Sequence, residues 1–365
     1  MAASPVLPAA GDEAPDRTEQ RQDRAGSELF REVLALSPMA MGGNLPYRRL
    51  CREFGAQLTC SEMVLAHKLM GGGERPLLRH HPDEDAFGVQ LAGKHPAEMA
   101  EAARVVVEAG ARFVDLNFGC PIDLIVKRGS GAALLQRPGR LAEIVAAVRA
   151  AVTVPVSVKL RLGYSDDKLN VVDLARRSAD AGADALGIHG RTRAQRYRLS
   201  ARWDLIDEAA AAVAIPVLGN GDILTPWDLQ RRREQTRVRS FLVARGALVK
   251  PWIFRELLTG KPWYPAPAER WAIMRRYVDF ALEYFGDDEK GRGRVERFFL
   301  WHCGFWHRYY PWTHDDFVAL GVESLLQART PRIEGDADTL LLGSAEEDDH
   351  RVVWRRVLDR DYPGA

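Results

Sequence analysis

Two hydrophobic periods alternate along this chain. From residue 33 onward, short runs of Val, Leu and Ile give way to longer Ala-, Leu- and Arg-rich stretches whose apolar residues recur three and four apart. The runs read as buried strands and the longer stretches as amphipathic helices. Strands are expected at residues 33–39, 57–63, 86–93, 113–121, 154–163, 185–192, 215–223 and 240–248, with helices such as 96–110 and 140–152 between them, ended by glycine or proline. Eight βα units within about 250 residues predict an α/β fold, a (β/α)8 TIM barrel over residues 28–260. An open doubly wound sheet ranks lower, because no G-x-G-x-x-G follows the first strand and polar residues end nearly every strand.

Past residue 260 the alternation stops. KPWYPAPAER reads as a proline-rich linker, and residues 266–327 as a small all-helical C-terminal domain. Residues 328–365 carry the acidic runs EGDAD and AEEDDH, and their last segment, RVVWRRVLDRDYPGA, reads as either a helix or a tail. Residues 1–27 lack apolar periodicity and are expected to be a flexible tail.

Composition narrows the class only slightly. Lys+Arg 51 against Asp+Glu 50 gives a net charge of +1, so any nucleic-acid site must come from local clustering. Four cysteines without a C-x-x-C pair argue against a metal knot and a disulfide framework. With no apolar stretch of about 20 residues, the expectation is a soluble, cytoplasmic, metal-free protein, taken to be a monomer.

Chemistry collects where strands end, and in a barrel those ends converge on one pocket. Cys120, in FVDLNFGCP, sits just past a strand in a glycine turn with Asn117. An ordinary thiol there serves as an acid, whereas nearby cations such as Lys127 and Arg128 would favour thiolate. Lys159 and Arg161 end VSVKLRLG. A buried lysine needs an anion or loses its charge, so Lys159 suits either the anionic edge of a reduced flavin or a Schiff base. Gln90 and His189 would hydrogen-bond the same ring. Asn220-Gly221-Asp222 and Arg245-Gly246 follow the seventh and eighth strands, where barrels commonly bind phosphate. RTRAQRYR places Arg191, Arg193 and Arg196 around Tyr197, a combination that grips phosphates and stacks on an extruded base. RRREQTRVR (231–239) reads as a solvated outer face. Phe298, Trp301, Phe305 and Tyr309 read as a helical core stripe ahead of a base-stacking platform, with Arg294 and Arg297 beside it suited to a phosphate backbone.

Over about residues 33–327 these residues, in this order, resemble the tRNA-dihydrouridine synthase family. CPIDLIVKRGSGAALL, HGRTRAQRYR, LGNGDI and ARGALVKPWIF are most similar to its third eukaryotic branch. The resemblance implies a barrel binding FMN, reduced by NADPH, followed by a helical domain that binds tRNA. Hydride passes from the flavin to C6 of a flipped-out uracil, and the cysteine, here Cys120, protonates C5 from the other face. It assigns Gln90, Lys159 and His189 to the flavin ring, with Pro38, Met39 and Ala40 backing it. Asn220, Gly221, Asp222, Ala244, Arg245 and Gly246 would hold its phosphate. Asn117, Lys127, Arg128, Arg161, Arg191, Arg193, Arg196, Arg294 and Arg297 would contact the tRNA. That branch carries Cys/His zinc fingers that are not found in this sequence, which leaves RNA affinity to the helical domain and barrel rim. The acidic 334–350 region is outside what the resemblance explains. Competing readings are oxidation or reduction of a free pyrimidine in a dihydroorotate-type flavin barrel, a Schiff-base enzyme, and a non-catalytic tRNA-binding protein.

Overall fold

The computed structural model describes residues 25–321 and 324–364. Its strands are β1 (Leu34–Leu36), β2 (Thr59–Cys60), β3 (Val64–Leu65), β4 (Phe87–Ala92), β5 (Phe113–Asn117), β6 (Val156–Arg161), β7 (Ala185–His189), β8 (Val217–Asn220) and β9 (Ser240–Val243). All pair in parallel, in the order β1-β9-β8-β7-β6-β5-β4-β2. The ring closes through a parallel bridge between Ala35 and Leu58, where the Leu36 N–H donates to the Leu58 carbonyl at 2.9 Å. Both β2 and β3 pair with β4 and share one position in the ring, so eight positions close a (β/α)8 barrel. Burial on both faces explains why these strands read as apolar runs.

The strand expected at 57–63 is interrupted. Ser61 Oγ accepts the Gln90 N–H at 3.1 Å, and the chain then swings out to aim Glu62 at the Met41 N–H, 2.5 Å away. The remaining strands stop short of their expected ends because the residues beyond them leave the ladder to build the mouth. The barrel interior packs Ala35, Leu58, Cys60, Phe113, Ala185, Leu218 and Leu242 with Phe30, whose ring meets Phe113 edge-on at 5.3 Å.

Phe30 belongs to a short 3-10 helix, Ala25–Phe30. The Ser27 hydroxyl donates to the Asp184 carbonyl, and Ser240 Oγ donates to the Phe30 carbonyl. The expected flexible tail is therefore too long at its end, since residues 25–27 form part of a plug in the barrel floor. Residues 1–24 lie outside the described residues.

Beyond the barrel, the helices Pro267–Phe285 and Glu289–Trp306 pack together, and Glu347–Asp359 packs against both. The final segment, open from sequence, is thus helical as far as Asp359. Acidic residues in the 334–350 region tie its backbone and its helices: Asp336 accepts the Thr339 N–H, Asp349 accepts the Ser344 hydroxyl, and Asp338 pairs with Arg356. The helical region is anchored on the barrel by Arg49–Glu283 and Arg276–Glu53 ion pairs and by the Tyr284 hydroxyl, which donates to the Pro76 carbonyl. Segment 231–239 is less solvated than expected. Arg232 is buried, and Arg231 lies over the Phe317 ring at 3.9 Å. Among the described residues no helix is long and apolar enough to cross a membrane, and no three His, Cys, Asp or Glu side chains cluster as for a metal ion.

Candidate active site

Parallel register brings the polar strand ends into one layer: Asn117 opposite Lys159, Arg161 opposite His189, and His189 opposite Asn220. They line a cavity of about 410 Å³ at the C-terminal mouth, together with Pro38, Met39, Ala40, Gln90, Cys120, Ala244 and Arg245. This volume lies within the roughly 300–1,000 Å³ of small-molecule sites. A narrower adjoining pocket holds Gly221, Asp222 and Gly246 and shares His189, Asn220 and Arg245.

Cys120 is held from behind. Asn117 Oδ1 accepts the N–H groups of Gly119 (3.2 Å) and Cys120 (2.8 Å), which stops β5 and turns the thiol-bearing residue into the cavity wall. Burial raises the thiol above its ordinary value, with smaller opposing effects from the Ile122 N–H and Arg161. The thiol therefore stays protonated at neutral pH and suits an acid. Lys127 and Arg128 lie exposed at the far end of the next short helix, so the expected lowering by them does not occur.

Lys159 Nζ donates to Asn220 Oδ1 at 3.0 Å, and Asn220 Nδ2 donates to the Leu242 carbonyl. An ammonium has three donors, which leaves capacity for an acceptor in the cavity. Burial, reinforced by Arg161, lowers Lys159 to about 7. A lysine whose folded value lies below its unfolded value, about 10.4, binds fewer protons folded than unfolded between the two, so its contribution to stability improves as pH rises through that window. In urea melts of cofactor-free protein, we expect the stability of the native chain relative to Lys159→Met to improve from pH 7 to pH 10. A pH-independent difference would show that the ammonium is not desolvated.

His189 is pushed well below its ordinary value by burial and by the neighbouring Arg161, Lys159, Arg191 and Arg245. It is neutral. Its Nε2 lies 3.2 Å from an Arg191 nitrogen, which can only donate, so the ring hydrogen resides on Nδ1.

Several expected ligand groups serve the protein itself. Asp222 Oδ1 and Oδ2 each accept from Arg191 Nη2 at 2.7 Å, and Oδ1 also accepts from Arg245 at 3.0 Å. Its carboxylate organises these cations and is unsuited to facing a phosphate. Arg191 is fully buried and also donates to the Arg198 and Leu199 carbonyls. Arg161 donates to the carbonyls of Gly119, Thr192 and Arg196. Both guanidiniums therefore brace loops and are not free to take an RNA phosphate. Arg193 and Arg196 are on the rim, each paired with Asp123. Arg294 and Arg297 are exposed on the Glu289–Trp306 helix, outside the cavity.

Two groups of residues escaped the sequence reading. Trp301 and Phe305, with ring centroids 4.9 Å apart, line the cavity, while Phe298 and Tyr309 are core, so the aromatic stripe divides between two jobs. Asp115 and Ser157 are buried polar residues linked to Gln90 at the cavity floor.

The cradle fits a flavin with a phosphate tail. A Cβ on Gly246 would lie 2.1 Å from the Ile223 carbonyl, so only glycine lets the backbone form that wall. The cavity offers the donors of Lys159 and the neutral His189 ring beside apolar Met39, Trp301 and Phe305.

Residues 34–305 match the family described as Dihydrouridine synthase (Dus). The chain belongs to the dihydrouridine synthase family. Curated relatives include proteins named tRNA-dihydrouridine(47) synthase, NAD(P)(+), from Coprinopsis cinerea (38% identical over 336 residues, 86% of this chain and 48% of that protein). Proteins given the same name with the suffix "-like" occur in Oryza sativa subsp. japonica (37% over 338 residues, 90% and 48%) and Homo sapiens (40% over 290 residues, 77% and 44%). The chain spans about half the length of the curated relatives it matches.

Proposed function

We propose that this protein is a tRNA-dihydrouridine synthase that reduces the C5=C6 bond of a uridine in tRNA, using FMN reduced by NADPH. The observation carrying this reading is a protonated thiol, Cys120, in the same cavity as the Lys159 amino group, on a chain matching the Dus family over residues 34–305. The relatives' names point to uridine 47 as the target.

A bound flavin supplies the hydride, which no side chain can replace. In this reading Gln90, Lys159 and His189 would hold its ring and Met39 would back it. The backbone at Gly221 and Gly246, with Arg245, would hold its phosphate, while Asp222 acts indirectly by fixing Arg245. The target base leaves its stack to reach the cavity. Trp301 and Phe305 exclude water from one wall. Cys120, on the wall of the cavity, would give its proton to C5, and Asn117 keeps the thiol-bearing turn in place. Arg193 and Arg196 meet RNA at the rim, and Lys127 and Arg128 extend this contact.

The test is reconstitution: the purified chain should be yellow with FMN and, given NADPH, should form dihydrouridine in a tRNA transcript, mapped by position. Colourless protein that cannot be loaded, with no product, rejects the proposal. Exposed Arg294 and Arg297 are expected to follow the RNA backbone. Replacing either by Ala should weaken tRNA binding and lower the salt slope by roughly one phosphate contact, about 0.7–0.9 in log K against log salt. Unaltered slopes in both variants would remove this helix from the RNA contact.

A further inference from the structure

A line of buried side chains runs from a carboxylate to the cysteine turn. Asp115 Oδ1 accepts the Ser157 hydroxyl at 2.7 Å, and Oδ2 accepts Gln90 Nε2 at 2.6 Å. Gln90 Oε1 accepts Asn117 Nδ2 at 2.7 Å, and Asn117 Oδ1 accepts the Gly119 and Cys120 N–H groups. A carboxamide has a donor end and an acceptor end, which exchange when it flips. Of this line, only the carboxylate lacks a hydrogen to donate when ionised. It therefore requires Gln90 to turn its NH2 inward and its oxygen toward Asn117. That in turn makes Asn117 donate to Gln90 and accept from the turn. In the reverse arrangement the Asn117 NH2 would face two N–H donors, with no acceptor for either. Even a carboxyl protonated on Oδ1, toward Ser157, keeps Oδ2 as an acceptor.

We propose that Asp115 is a positioning residue for Cys120: through two amides it sets the hydrogen-bond direction that holds the Gly119–Cys120 turn against the cavity. Its bearing on catalysis rests on the reading of Cys120 as proton donor. The direction of the relay does not.

Iodoacetamide labelling of the full chain, read at the Cys120 peptide by mass spectrometry, tests the relay without flavin or RNA. The other three cysteines, Cys51, Cys60 and Cys303, are buried. Asp115→Asn permits the reversed direction and loosens the turn. Release of the thiol from burial raises both its thiolate fraction and its access, so labelling at pH 7 should rise about tenfold. In Asp115→Asn/Gln90→Glu the carboxylate moves one place along the line and accepts from both neighbours. Its labelling should return to within about twofold of the native rate. A native rate in the single variant, or no return in the double variant, overturns the proposal. Gln90→Glu alone, with one proton shared between its carboxyl and that of Asp115, still presents an acceptor to Asn117 and should label at the native rate. Labelling as fast as in Asn117→Ala, which lacks the acceptor altogether, overturns the relay even where Asp115→Asn does not fold. Absence of dihydrouridine activity in the native chain, with these labelling patterns intact, would count against the proposed function alone.

Discussion

Cys120→Ala is expected to keep flavin bound while slowing single-turnover dihydrouridine formation by about 10²–10⁴, the usual contribution of a positioned general acid. The thiol is held protonated by burial and lines the cavity that contains the Lys159 ammonium. Removing it takes away the proton destined for C5 and leaves the donors assigned to the flavin in place. Because the turn is secured by backbone N–H groups bonded to Asn117, the substitution does not release it. A single-turnover assay with pre-reduced enzyme and excess enzyme over tRNA isolates the chemical step from product release. Product formed at the native rate would place the acid elsewhere. Hydride transfer slowed together with flavin loss would instead mean that the cysteine supports the cofactor.

The largest stability effect is expected at Arg191. Both it and Asp222 have fully buried side chains, with two contacts of 2.7 Å from one guanidinium nitrogen to the carboxylate. Breaking such a pair by removing one partner costs about 3–5 kcal/mol, because the other charge stays buried without its counter-ion. Arg245 compensates Asp222 only in part, at 3.0 Å and from a more exposed position. Arg191→Ala also unties the 198–199 backbone. We expect the unfolding free energy at pH 7 to fall by about 3–5 kcal/mol in chemical denaturation, and phosphate affinity to fall with it as an uncompensated carboxylate is left beside the narrow pocket. Removing the charge as well, in Arg191→Met/Asp222→Asn, should recover much of the stability. A loss of under about 1 kcal/mol in the single variant would show that Arg245 and solvent suffice.

Much of this architecture was legible because a parallel barrel sends its strand ends to one face. Gln90, Asn117, Cys120, Lys159 and His189 stand at such ends and share one cavity. What a strand end cannot reveal is which way a loop side chain turns. Arg191 and Arg193 are two residues apart on one loop, yet one is buried against Asp222 and the other pairs with Asp123 at the rim. The relay left a signal that went unused. Asp115 and Asn117, and likewise Ser157, Lys159 and Arg161, are spaced by two along strands and so share a strand face. Trp301 and Phe305 left none: their four-residue spacing matches a core stripe, and only the packing of the C-terminal helices on the barrel turns them toward its mouth.

The floor plug formed by Ala25–Phe30 has a practical corollary. Phe30 seats among Phe113, Ala185 and the other residues that begin or line the strands, at the pole opposite Cys120. A purification handle or accessory module attached ahead of residue 25 is tethered at that pole. To reach the mouth, where Cys120 and Lys159 line the cavity, such a module must be carried past the full height of the cylinder by the chain that joins it to residue 25.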